Sequence, residues 1–470
     1  MATFRFKLFQ PCFVLIGFMI ASSSCNRPIE SLLPPSQDSV DVEKPSTPGE
    51  DDIPPSNPVG PVVHVGGGNN EDIVIDGEKT PFDCHTTVYI KGGNYRSITI
   101  KNVQQAAGCP VTFTNDGLIT LKNAEMRISN ASHITVTGDI ANGDSKGFSF
   151  LDNSYRALVL SDRIHHVTLS NMSFSNIRDY VISYNNRTVY NGTDETATKD
   201  LRIRKMDCER SGPFINFSGS KNGSTVTGMY RNLEIAYINY RDSPSVGIVV
   251  YVPNAESFNI HHNTFNNVNK QNVDHNAIFQ IHGNGEFHNN YMSNFQGNSL
   301  RARPFSFGNS AKELRIYNNI VINSVKYSAF EVQTFPEDLI GRGNTYANIK
   351  VFNNTCGNLN LSSDWYGVVL DAYTVSGGKC EVFNNLAFHF PSPHPKSMIV
   401  SYMGLADNDL IEHDNYYYRT ADEAGIKDEN SLKLSTSSPA KNSGQKVAFL
   451  TTDYYGALWN TDKPSIGAVE

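Results

Sequence analysis

Arg301 and Arg303 stand two residues apart in the short segment Ser299-Leu300-Arg301-Ala302-Arg303. In an extended chain such a spacing puts both on one face. There the two guanidinium groups can hold a carboxylate or a sulfate through paired hydrogen bonds. Segments of the same pattern occur at Gly247-Ile248-Val249-Val250-Tyr251, Ala277-Ile278-Phe279-Gln280-Ile281-His282, Ala329-Phe330-Glu331-Val332-Gln333 and Val368-Val369-Leu370-Asp371. Stacked by pattern without bulges, they send Phe279, Ile281, Leu300, Ala302, Phe330 and Val332 inward. One outward column then reads Tyr251, His282, Arg303, Gln333, Asp371. The column beside it reads Val249, Gln280, Arg301, Glu331, Val369. The loop entering the His282 strand adds Lys270, Asp274 and His275. An anion clamp among groups that move protons is a setting for acid–base chemistry on an acidic ligand. The competing reading is an Arg301–Glu331 ion pair on a solvated sheet, with His282 merely exposed.

These segments belong to a longer repeat. From residue 71 onward, short strands of alternating apolar residues end in Asn or Gly. Early copies are Ile98-Thr99-Ile100-Lys101-Asn102, Ile119-Thr120-Leu121-Lys122-Asn123 and Val167-Thr168-Leu169-Ser170-Asn171. Later copies are tighter and close on Asn263, Asn290, Asn319, Asn354 and Asn385. Strands this short cannot make a self-contained sheet. Stacked at about 4.8 Å per coil, they bury one continuous apolar column. Asn suits the corner because it tolerates a left-handed backbone and can hydrogen-bond to its copy in the next coil. The pattern predicts an all-β chain, a parallel β-helix. A β-sandwich with Asn-rich turns is the alternative; it predicts turns every 8–12 residues or so without a longer superperiod.

The rest of the chain bounds the function. Its 470 residues are 39% hydrophobic and 18% charged, enough for a large core. Lys+Arg 39 against Asp+Glu 47 gives a net charge of -8, which argues against a nucleic-acid partner. Residues 1–24 read as an export signal: Arg5 and Lys7 precede the apolar run Phe13 to Ala21, which is too short to span a bilayer. Ser22-Ser23-Ser24-Cys25 resembles a bacterial lipobox, with Cys25 as the lipidated residue. Ser22 departs from the usual Leu, so cleavage without a lipid is the alternative. Residues 25–70 form a Pro-rich flexible linker and 71–470 the β-helix domain. Cys84/Cys109 and Cys356/Cys380 are each separated by about one repeat, so each pair can lie on neighbouring coils and form a disulfide. The other reading makes all four small buried residues. His261-His262 and His165-His166 are adjacent in strands, so alternation points each pair to opposite faces and makes them poor metal sites. Tyr416-Tyr417-Tyr418, Asp364-Trp365-Tyr366 and Tyr373 are either sugar-stacking surface or packing, with packing favoured.

The NN-ending strands and the closing segment Ser438-Pro439-Ala440 … Pro464-Ser465-Ile466-Gly467-Ala468-Val469-Glu470 resemble the right-handed parallel β-helix proteins of the pectate-lyase-like superfamily. They resemble in particular the lipoproteins of glycan-degrading gut-type bacteria. The resemblance covers residues 71–470 and implies a single-stranded right-handed parallel β-helix. It also implies a polysaccharide lyase acting by β-elimination on a uronic-acid polymer, with a glycosaminoglycan such as hyaluronan or chondroitin sulfate favoured over pectin or alginate. Such an enzyme neutralises the uronate carboxylate, removes the C5 proton and protonates the departing oxygen. Arg301 and Arg303 suit the first task. Lys270, His282 or Tyr251 suits the base, and Tyr251 or His275 the acid. Gln280, Glu331, Gln333 and Asp371 are the expected substrate-binding residues. No metal site is assigned; calcium, which pectate lyases often use, stays open because Asp274, Glu331 and Asp371 are dispersed. The partners expected are an acidic polysaccharide and, through Cys25, a bacterial outer membrane or cell surface, with periplasm or secretion as alternatives. The chain is expected to be a monomer. A non-catalytic glycan-binding protein and a glycoside hydrolase are the rival functions.

Overall fold

The repeat folds as its spacing requires. The computed structural model describes residues 60–470 except 139–145, 223–224, 244, 335–342, 364–365, 374–377, 393–396, 404–408 and 461. The export signal, Cys25, linker residues 26–59, Asp364 and Trp365 lie outside the described residues, while within the expected linker Val62–Val65 is a strand paired in parallel with Thr87–Ile90. Among the described residues thirty-one strands form one hydrogen-bonded network, and each pairs in parallel with its copies in the neighbouring coils. The exception is an antiparallel pairing of Phe305–Phe307 with Asn344–Tyr346. The result is a parallel β-solenoid. Its core is the column of inward residues, including Phe279, Ile281, Leu300, Phe330 and Val332 as expected. Aromatic rings stack within it, for example Phe150 on Phe174 at 4.8 Å.

The Asn-Asn corners divide two tasks between two residues. The first Asn of each pair takes the left-handed backbone: Asn289, Asn318, Asn353 and Asn384 have φ between 50° and 54°. The second faces inward and forms a ladder. Asn263, Asn290, Asn319 and Asn354 each donate from Nδ2 to Oδ1 of the next copy, at 2.9, 3.0, 2.9 and 2.9 Å. The spacings are 27, 29, 35 and 31 residues. The ladder runs one rung further, from Asn385 to Asn415. Each amide also caps a strand carbonyl of the preceding coil, as Asn319 does with Phe287 O at 2.9 Å. Buried polar groups that would be orphaned at a tight corner are thereby satisfied.

Outside the same corner, rings of successive coils stack: His261, His288, Tyr317, Phe352, Phe383 and His413 lie 4.7–5.2 Å apart in sequence. The C-terminal segment runs back over this stack. Val447 and Leu450 pack on Tyr317, Phe352 and Phe383. Gly467 and Ala468 donate backbone hydrogen bonds to Asn384 O and Thr355 Oγ1. Tyr416, Tyr417 and Tyr418 are half-buried, and Tyr417 packs against the core beside Phe390. Cys84 and Cys109 form a disulfide between neighbouring coils. Cys356 and Cys380 are buried free thiols, as is Cys208, so the second expected bridge is replaced by small-residue packing.

Candidate active site

Five parallel strands carry the polar face: Val250–His261, Ala277–His288, Asn298–Phe307, Phe330–Gln333 and Leu370–Tyr373. Their register corrects the sequence alignment at both ends. Tyr251 pairs with Gln280, not His282, and Asp371 pairs with Glu331, not Gln333. One column is therefore Tyr251, Gln280, Arg301, Glu331, Asp371. The other is His282 and Arg303, with Gln333 level with Tyr373 further along. Val249 and Val369 are buried and belong to neither. A slide of two residues leaves inside and outside unchanged, so alternation alone cannot see it.

The face splits into two halves. In the first, Glu331 is the hub, with 1% of its side chain exposed. Arg301 Nε reaches its Oε1 at 2.8 Å, His275 Nε2 its Oε2 at 2.7 Å, and Gln333 Nε2 also donates to Oε1. Arg301 Nη1 holds His275 O at 3.3 Å, and the His275 ring stacks on Tyr327 at 4.1 Å. These contacts pin the loop before Ala277 to the sheet. His275 and Arg301 are thus engaged in an internal ion network, and the structural reading of the Arg301–Glu331 pair is the one realised. Beside them Asp371, 4% exposed, has its carboxyl pushed up to about 6 by burial first and by the charge of Glu331 second. Ser401 and Tyr373 hydrogen-bond to it, and burial with the charge of Asp371 pushes the Tyr373 phenol up to about 12.

The second half is Tyr251, His282 and Arg303. The Tyr251 and His282 rings meet edge to face at 5.7 Å. Gln280 Nε2 lies 3.3 Å from His282 Nε2 and orients the imidazole. Arg303 is half-buried next to His282 in the following coil. Burial raises the pKa of the Tyr251 phenol, while the charge of Arg303 pulls the other way. Lys270 and Asp274 are exposed on the loop and join neither half.

Of the expected residues, the structure brings Tyr251, Gln280, His282 and Arg303 together, and Arg301, His275, Glu331, Gln333 and Asp371 together. Tyr373, read from the sequence as stacking surface or packing, instead hydrogen-bonds to Asp371. Tyr327 is an addition and carries no pattern of its own. Calcium does not fit this donor set. Among the described residues no three His, Cys, Asp or Glu groups are placed to share a metal ion. Glu331 is already engaged by Arg301 and His275, which a divalent ion would have to displace.

No protein-family model matches the sequence, and no curated protein does. Solved structures do. A PL6 family polysaccharide lyase from Pseudopedobacter saltans is similar at 12% identity and a TM-score of 0.47, over 80% of this chain and 97% of that one. The pectate lyase Pel9A is similar at 13% identity and a TM-score of 0.37, over 85% and 96%. An alginate lyase from Paenibacillus sp. str. FPU-7 is similar at 14% identity and a TM-score of 0.39, over 73% and 99%. The likeness is one of fold, and it gives no residue of this chain a role.

Proposed function

We propose that the chain is a polysaccharide lyase that cleaves a uronate-containing polymer at Tyr251, His282 and Arg303. The observation that carries this reading is their convergence: an arginine in register with a histidine that touches a tyrosine. Arg303 binds the uronate carboxylate and stabilises the charge that moves onto it when C5 loses its proton. His282 takes that proton. The C5–H electron pair becomes the C4–C5 double bond, the C4–O4 bond breaks, and Tyr251 gives its proton to O4. Tyr251 suits the acid because burial keeps its phenol protonated at neutral pH. Arg301 acts through Glu331 and His275, holding the wall of the site rather than the substrate.

A glycosaminoglycan, hyaluronan or chondroitin sulfate, is the proposed substrate on the sequence resemblance, with alginate and pectate as rivals. Export and a lipid on Cys25 belong to the same reading; radiolabelled palmitate incorporated into the wild type but not into Cys25→Ala tests them. A glycoside hydrolase is the second reading. It is favoured by Glu331 and Asp371, a carboxylate pair on adjacent strands of which Asp371 holds its proton to about pH 6. The lyase reading is tested with Arg303→Ala and His282→Asn. Each is expected to lose at least about 100-fold in turnover with an unchanged far-ultraviolet spectrum. Wild-type turnover in Arg303→Ala refutes the assignment.

A further inference from the structure

A second polar cavity, of about 230 Å³, opens at a corner of the solenoid remote from the site above. It is lined by Gln104, Gln105, His133, Arg163, His165 and His166, from three successive coils. The sequence alternation that would send His165 and His166 to opposite faces fails here. His166 has φ 50° and His133 has φ 52°, and a left-handed residue turns the next side chain back towards its neighbour. His133 and His166 therefore stack at 4.2 Å, and His166 Nδ1 holds Asp200 at 3.0 Å.

His165 is the unusual member. It is 8% exposed, lines the cavity, and makes no hydrogen bond among the described residues. Its ring nitrogens are not sealed from solvent, so they stay open to a ligand entering the cavity. Arg163 is exposed at the same cavity and makes no hydrogen bond or ion pair among the described residues. Asp194, which acts on His165 from a distance, is itself taken up by Lys199 and Arg231. Glu195 feels the charge of Arg163 without forming an ion pair with it.

We propose that this cavity is a binding site for one carboxylate-bearing sugar unit. Arg163 takes the carboxylate, His165 completes its hydrogen bonding on the sugar, and the amides of Gln104 and Gln105 read the hydroxyl groups. The volume suits a single monosaccharide rather than a chain. His165 and Arg303 lie on strands separated by five coil steps, about 24 Å at ~4.8 Å per step. The site therefore binds without taking part in cleavage, and it does not depend on the lyase reading.

The test is calorimetric titration of the full chain with sodium glucuronate, with glucose and with sodium acetate. It uses the Arg303→Ala background, so that the clamp described above contributes nothing. Glucuronate is expected to bind, with glucose and acetate at least about tenfold weaker. Adding Arg163→Gln or His165→Phe should weaken glucuronate by at least about tenfold. Arg163→Gln alone should leave polymer turnover within about twofold. As a check that needs no variant, glucuronate should move the imidazole signals of His133, His165 and His166 in histidine-labelled wild type. Glucuronate that leaves those signals in place overturns the proposal. Acetate binding as tightly as glucuronate overturns the sugar class. Failure of every polymer to be cleaved, with these signals moving, would sink the lyase reading and leave this site standing.

Discussion

Replacing Asn319 with Ala removes the middle rung of the asparagine ladder. Four hydrogen bonds go with it. Asn319 Nδ2 donates to Phe287 O at 2.9 Å and to Asn354 Oδ1 at 2.9 Å. Its Oδ1 accepts from Asn290 N at 3.0 Å and from Asn290 Nδ2 at 3.0 Å. The site is fully buried, so water does not replace the lost partners. Each bond contributes about 1 kcal/mol net, and an orphaned buried group costs about 1–3 kcal/mol more. The four bonds sum to about 4 kcal/mol and the orphaned Phe287 carbonyl and Asn290 amide add at least about 2 kcal/mol, so the total is about 6 kcal/mol or more. In a solenoid stability is carried by neighbouring repeats, so the loss should be local. Urea denaturation measures the whole effect, and hydrogen exchange of peptides containing residues 290, 319 and 354 measures its location. A loss below about 1 kcal/mol with unchanged exchange in those coils would refute the argument that the ladder holds the corners.

Asn318→Gly, one residue away, keeps the left-handed backbone and loses the hydrogen bond to Thr452 O at 3.0 Å, so it should cost about 1 kcal/mol in the same denaturation assay. Asp371→Asn should be pH-dependent. The folded carboxyl titrates at about 6, above its unfolded value of 3.8, so the native state holds the extra proton in between. Stability contributed by Asp371 therefore falls as pH rises from about 4 to about 6, by up to roughly 3 kcal/mol. The Asn variant should be more stable than wild type at pH 8 and no more stable at pH 4, read from thermal melts at both. His288 runs the other way. Burial lowers its pKa to about 3, so stability is lost as pH falls from about 6.5 towards 3, and His288→Gln should flatten that acid limb. Cys84→Ser opens a loop closed over a separation of 25 residues. It should cost about 3.5 kcal/mol on a chain-entropy basis, measured against the oxidised wild type, whereas reduced wild type should match the variant.

The fold was legible because its signal is redundant. Every coil repeats an alternating strand and an Asn corner, and the inward residues Phe279, Leu300 and Phe330 are all buried as the alternation requires. The site was legible only in part. Tyr251, Gln280, His282, Arg301, Arg303, Glu331 and Asp371 share one face as the alternation requires and Lys270 stays on the exposed loop, but the register slid by two at Tyr251 and Asp371, because such a slide keeps every side chain on its own face. Left-handed residues defeated alternation at His262 and His166. His261 and His262 bring their Nδ1 atoms within 2.8 Å instead of facing apart. The pattern set Arg301 beside Glu331 and raised their ion pair, but it did not show the loop carrying His275 docking onto that pair, through contacts across 26 residues and more.

The central claim is β-elimination. The purified protein, incubated with hyaluronan, chondroitin sulfates, heparin, pectate and alginate, would be followed by ultraviolet absorbance for the C4–C5 double bond of an unsaturated uronate. The account predicts a rising signal on one polymer, unchanged by a chelator and lost in Arg303→Ala. New reducing ends without that absorbance would contradict it in favour of hydrolysis at Glu331 and Asp371. Binding without either product would contradict it in favour of a glycan-binding protein.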